Sequence, residues 1–141
     1  MTIAISLILH PNNGTLLIAQ RKDGVHQENL WEFPGGKCLP GEAPADCAVR
    51  ETLEETGLEV VVLEAWPVLT YPYPDRTVTL HPFLCRAVGG EAQPIESKRV
   101  VWVTPAELQN YPFPAANRPL IKRLQENLQE NPQENPSGFT R

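Results

Sequence analysis

Glu51, Glu54 and Glu55 stand three and four residues apart in the stretch ETLEETG, a spacing that puts all three on one side of an α-helix. At 100° per residue they fall within a sector of about 100°, so the carboxylates repel one another unless a positive charge lies between them. A divalent metal is the candidate for that charge. Magnesium takes six oxygens, keeps several waters, and is usually held by one or two carboxylates together with substrate phosphates. Such an ion neutralises a diphosphate linkage and orients or acidifies an attacking water, while a nearby carboxylate takes the proton. The chemistry indicated is substitution at phosphorus, with a merely solvated acidic helix face as the plainer alternative. Arg50 lies off the acid face by helical geometry, so its simplest role is an ion pair that orients Glu51 or a neighbour.

A helix must hold those acids, and its ends are marked. Pro44 suits the first helical position and Gly57 the left-handed stop. Ala43 offers no capping side chain, at a cost of about 1 kcal/mol relative to Ser or Thr. Ala45, Ala48, Val49, Thr52 and Thr56 form the opposite face, with Leu53 at its edge, and predict packing on a sheet. Upstream, Ile3 to His10 and Thr15 to Ala19 flank Asn13-Gly14 and predict a hairpin. A polar loop from Arg21 to Asn29 precedes a short strand, Trp31 to Pro34, which leads into a Gly35-Gly36 turn. Downstream, Val60 to Leu63, Thr77 to Arg86 and Val100 to Val103 read as strands, with a loop of Tyr71, Pro72, Tyr73, Pro74, Asp75 and Arg76 before the second. Thr104-Pro105-Ala106-Glu107 is a capping box opening a short helix. A last helix follows Asn117, with Leu120, Ile121, Leu124 and Leu128 on one side. This order predicts an α/β fold, a mixed β-sheet flanked by helices in an α/β/α sandwich.

The chain of 141 residues suits one domain, residues 1–131. A net charge of -5 argues against a nucleic-acid polymer as partner, since duplex binding needs a basic surface, but leaves a small nucleotide with its own metal. No apolar run is long enough for a membrane, and the first residues lack the pattern of a signal peptide, which predicts a cytoplasmic location. Cys38, Cys47 and Cys85 are odd in number and without metal-ligand spacing, as expected for reduced thiols. Cys47 shares the face of Glu51 and reads as a bystander thiol, with a soft-metal ligand as the alternative. Arg21, Lys22 and His26 in the polar loop, and Lys37 after the glycines, are either solvated charges or phosphate contacts. The repeated Gln-Glu-Asn of the C-terminal region, with Pro132 and Pro136, predicts a disordered tail over 132–141.

Gly36, five residues, Glu42, seven residues, Arg50-Glu51, then Glu54-Glu55 and Gly57-Leu58 resembles the signature of the Nudix hydrolase superfamily. Thr52 departs from it, standing where a bulky aliphatic is usual. The resemblance implies that Glu51, Glu54 and Glu55 ligate a metal or activate water, that the carbonyl of Gly35 or Gly36 completes the shell, and that Mg2+, or Mn2+ as a substitute, is the cofactor. WEFPGGK at 31–37, YPDRTVTL at 73–80 and FPAANRPLI at 113–121 are similar to the MutT branch, whose activity is hydrolysis of 8-oxo-dGTP.

That likeness implies further roles. Asn117 would read the oxidised base, or else merely cap the last helix. Arg21 would touch the α-phosphate, Glu96 would help hold metal or water, and the backbones of Phe33 and Arg76 would line the base. Tyr73 and Val78 would be apolar walls. Trp31 replaces an aliphatic and Ala115 a proline of the branch, differences that could reshape the pocket. The implied function is a monomeric enzyme sanitising the nucleotide pool. A Nudix hydrolase of another nucleotide, and a non-catalytic 8-oxoguanine recognition module, are the alternatives.

Overall fold

The computed structural model describes residues 1–129. The tail expected over 132–141, the expected helix end near residue 131 and the side chain of Leu128 lie outside the described residues.

The first half of the chain builds β1 (Thr2–Leu9), β2 (Leu16–Gln20), β3 (Trp31–Glu32), β4 (Gly35–Lys37) and helix α1 (Pro44–Thr56). The second builds β5 (Glu59–Ala65), β6 (Leu69–Tyr73), β7 (Arg76–Gly89), β8 (Arg99–Val103), two 3-10 turns (Ala106–Asn110 and Ala115–Asn117) and helix α2 (Arg118–Gln129). All eight strands join one sheet with the main order β3-β2-β1-β7-β5. β1 and β7 run parallel, Thr2 opposite Thr79 through Leu9 opposite Arg86, and the remaining pairs are antiparallel.

Alternation along β1 divides the core between the two faces of the sheet. Ile5, Leu7 and Leu9 face one way and pack with Leu120 and Leu124 of α2. Ala4 and Ile8 face the other way, with Cys47 and Ala48 of α1. A mixed sheet between helices follows, the α/β/α sandwich expected from the order of elements.

Local signals act at the helix ends as the sequence implies. Ala43 makes no side-chain cap, Pro44 opens α1, and Gly57 closes it at φ 77° with its N–H on the Leu53 carbonyl. Thr104 and Glu107 form the reciprocal capping box at 2.7 and 3.2 Å, but it opens a 3-10 turn instead of an α-helix.

Two expectations change. The Gly35-Gly36 segment is a strand, β4, paired antiparallel with β1, so that Ile5 faces Gly35 and Ala4 faces Gly36. Glycine is needed there because a Cβ on Gly35 would collide with the Ala4 carbonyl. The crowded segment from Tyr71 to Arg76 is a β-hairpin, with Tyr71 opposite Val78 and Tyr73 opposite Arg76 around Pro74-Asp75. Proline at 72 is tolerated because β6 has a partner on one side only, β7.

Candidate active site

Helix α1 is fixed to β1 by polar as well as apolar contacts. Thr52 Oγ1 donates to Ser6 Oγ at 2.7 Å, Ser6 Oγ donates to the Ala48 carbonyl at 3.2 Å, and both residues are fully buried. Thr52 thus has a hydroxyl partner on the sheet, which explains why it replaces an aliphatic side chain.

With α1 held this way, Glu51 and Glu55 face β4. The Glu51 carboxylate lies against Gly36, where a Cβ would approach it to 2.5 Å. Glu55 Oε1 accepts from the Gly35 N–H at 3.4 Å. Burial pushes the Glu55 carboxyl up to about 8 despite that bond, and the nearby Glu51 and Glu32 carboxylates push the same way.

The positive charge already present is Arg50. Its Nε and Nη2 donate to Glu42 at 2.7 and 2.9 Å, a two-pronged pairing that holds the Glu42 carboxyl down at about 2. Nη1 reaches Glu51 at 3.2 Å and Glu54 at 3.1 Å, and Nη2 also reaches the Lys37 carbonyl at 3.2 Å. Arg50 therefore stands between two of the three acids and ties α1 to β4.

Among the described residues no group of three His, Cys, Asp or Glu side chains is positioned to hold a metal ion. The donor set suits a hard cation shared with phosphates: two or three carboxylates, Glu54 half exposed, and backbone oxygens of a glycine strand beside them. Cys47 does not fit such a role. Its thiol is buried, donates to the Gly36 carbonyl at 3.6 Å, and is pushed up to about 12, chiefly by burial.

Gly35 and Gly36 form part of the wall of a cleft of about 460 Å³. Arg21, His26, Phe33, Tyr73, Arg76, Val78 and Asn117 line the same cleft. Arg21 is set by Glu32, to which Nη1 donates at 2.9 Å, and by the His26 carbonyl, to which Nε donates at 2.7 Å. Asn117 arrives from the far end of the chain on the second 3-10 turn, and its side-chain amide has no hydrogen-bond partner among the described residues. A helix cap would require Asn117 Oδ1 to accept from a first-turn N–H of α2.

Glu96 stands apart. It is exposed and forms no ion pair or side-chain hydrogen bond among the described residues, in a loop that reaches the end of α1 through Gln93 N–H to the Thr56 carbonyl at 2.8 Å. Glu32, Tyr71 and Leu80 line the cleft but were not singled out from sequence. Alternation in β7 hints at Leu80, whereas nothing local signals Glu32 or Tyr71.

The NUDIX domain family matches residues 4–123, so the chain belongs to the Nudix family and is a hydrolase acting on phosphoanhydrides. Within it the chain is MutT-like. It is 35% identical over 125 residues to the 8-oxo-dGTP diphosphatase of Escherichia coli (strain K12), spanning 89% of this chain and 96% of that protein. It is 36% identical over 110 residues to the CTP pyrophosphohydrolase of the same organism, spanning 78% and 82%. A solved MutT structure, from a study of the Aliivibrio salmonicida and Vibrio cholerae proteins, matches at TM-score 0.68 and 29% identity, covering 87% of this chain and 93% of that one.

Proposed function

We propose that the protein hydrolyses 8-oxo-dGTP to 8-oxo-dGMP and pyrophosphate with Mg2+, or Mn2+ in its place, and thereby keeps the oxidised nucleotide out of DNA. The observation that carries this reading is one continuous cleft. Arg21, Lys37 and the glycines backed by Glu51 and Glu55 offer charge to phosphates, and the same cleft is lined by Phe33, Val78 and Asn117, whose side-chain amide has no hydrogen-bond partner among the described residues. Oxidation at C8 puts a proton on N7, so an amide can accept from N7–H while donating to O6. Ordinary guanine would set a bare N7 against the amide oxygen, and an unpaired polar contact of that kind discriminates far more strongly than apolar fit.

Glu51, Glu54 and Glu55 would hold the cation, which when bound supplies charge neutralisation for the phosphate chain and a more acidic water. Arg50 pairs with both Glu51 and Glu54 and so holds the two carboxylates near each other. A carboxylate of this set accepts the proton of the water that attacks the β-phosphorus, and 8-oxo-dGMP leaves. The enzyme acts as a monomer in the cytoplasm. No described helix is long and apolar enough to cross a membrane.

The likeness to a CTP pyrophosphohydrolase keeps a pyrimidine reading open, so the test is a panel. Specificity constants for 8-oxo-dGTP, dGTP and CTP are compared with Mg2+, and 8-oxo-dGTP is expected to lead on the order of a hundredfold or more. A ratio to dGTP near unity overturns the reading, and dominance by CTP replaces it. Glu54→Gln is expected to cut turnover by orders of magnitude in a folded protein. Tight binding of 8-oxoguanine nucleotide without hydrolysis of any substrate would make the protein a recognition module.

A further inference from the structure

Tyr71 is on β6, directly opposite Val78 of β7, and both line the cleft. Its hydroxyl donates to the carbonyl of Ala116 at 3.0 Å, across 45 residues of sequence. Ala116 immediately precedes Asn117, and the two belong to the same 3-10 turn, closed by the Asn117 N–H on the Pro114 carbonyl at 3.0 Å. The hydrogen bond therefore joins the two walls between which the base would lie: the β6–β7 hairpin on one side and the Asn117 turn on the other.

The segment before Asn117 has other anchors. The Trp31 N–H donates to the Pro112 carbonyl at 2.8 Å, Trp31 meets Tyr111 edge-on at 5.0 Å, and Phe33 stacks on Phe113 at 5.2 Å. All of these fasten residues 111–113. Between Phe113 and Asn117 the Tyr71 hydroxyl makes the side-chain hydrogen bond to the sheet among the described residues. A side chain that must distinguish a donor from an acceptor at N7 has to be held to within a fraction of an ångström, and neighbouring residues have to supply that restraint.

We propose that Tyr71 is a positioning residue for base selection: its hydroxyl holds Ala116 so that the Asn117 amide meets the base edge in a fixed position. This rests on the reading of Asn117 as the base-reading residue. Among the described residues the Tyr71 hydroxyl bonds to Ala116 and to none of Glu51, Glu54 or Glu55, so its loss is expected to bear on choice of base more than on the chemistry of the phosphates.

The experiment is a double-mutant cycle of Tyr71→Phe and Asn117→Ala in the full chain, read as kcat and KM for 8-oxo-dGTP and dGTP with Mg2+. Tyr71→Phe keeps the ring and removes one hydroxyl, and is expected to lower the preference for 8-oxo-dGTP roughly tenfold through KM, with kcat for both nucleotides within about twofold. In the Asn117→Ala background the same change is expected to do nothing further to the preference. If Asn117→Ala collapses the preference while Tyr71→Phe leaves it intact, or if the two effects multiply independently, the tether is overturned and the base-reading assignment survives. If Asn117→Ala leaves the preference unchanged, the base-reading assignment falls and the tether falls with it. Tyr71→Leu, which removes ring and hydroxyl, should match the loss of preference seen with Phe; retained preference in Leu also overturns the proposal.

Discussion

Glu42 and Arg50 are joined by two hydrogen bonds, 2.7 and 2.9 Å long, with both side chains largely shielded from solvent. Glu42 precedes the helix and Arg50 lies in its middle, so the pair fixes the guanidinium that in turn contacts Glu51 and Glu54. Glu42→Gln should therefore lower kcat by roughly tenfold to a hundredfold with little change in KM. Steady-state kinetics on the folded variant checks this, and parental kcat would show that Arg50 needs no such anchor. Because the Glu42 carboxyl is held at about 2, below its ordinary 4.5, the stability it contributes is complete above pH 4.5 and is lost only as pH falls toward 2.

Glu55 should give the opposite pH dependence. Its carboxyl, pushed up to about 8 from 4.5, binds a proton more tightly in the folded protein than in the unfolded chain. The contribution of Glu55 to the stability of the metal-free protein should thus be complete below pH 4.5 and be lost as pH rises through 8. A cation must displace that proton, so Mg2+ affinity should climb by up to about tenfold per pH unit between 6 and 8 and level off above. Calorimetric titration in EDTA-stripped protein measures it, and a flat profile would remove Glu55 from the cation site. Glu55→Gln should raise the metal-free melting temperature at pH 9.

Gly35 and Gly36 should fail differently when replaced by alanine. A Cβ on Gly35 meets backbone, the Ala4 carbonyl and Ile5 Cα, which cannot move without breaking the β1–β4 pairing. Gly35→Ala should cost about 3 kcal/mol of stability, seen in denaturant unfolding. The atoms nearest a Cβ on Gly36 are instead the end of the Glu51 side chain, at 2.5 to 2.7 Å. Gly36→Ala should stay folded, turn Glu51 aside and lose more than tenfold in kcat. Equal melting temperatures for the two variants would contradict the geometry.

Ser6 and Thr52 should behave as a unit. Ser6→Ala leaves a buried Thr52 hydroxyl without its acceptor and should cost about 2 kcal/mol. Adding Thr52→Val removes the stranded donor and should recover half or more of the loss. A double variant as unstable as the sum of the single ones would show that the hydroxyls do not support each other.

The sequence carried most of the framework, because helix faces, caps and strand alternation are local. The spacing of Glu51, Glu54 and Glu55, Pro44 and Gly57 at the ends of α1, and the reciprocal Thr104–Glu107 bonds are each readable within a few residues. What local pattern misread was the glycine strand and the Tyr71 to Arg76 hairpin, where Gly and Pro signal breaks but pairing to β1 and β7 overrides them.

The class of chemistry was thus written in the spacing of the acids and in the signature around them. Only the tertiary structure decided what those acids meet: Arg50 between Glu51 and Glu54, and for Glu55 a buried position beside Gly35 that raises its carboxyl. It also brought Asn117, Phe33 and Val78 into the lining of one cleft, with the Tyr71 hydroxyl donating to the Ala116 carbonyl. Residues so far apart in the chain leave no periodic trace of their contact. Burial and proximity are set by how the sheet and two helices pack, so electrostatics and base selection are properties of the assembled fold.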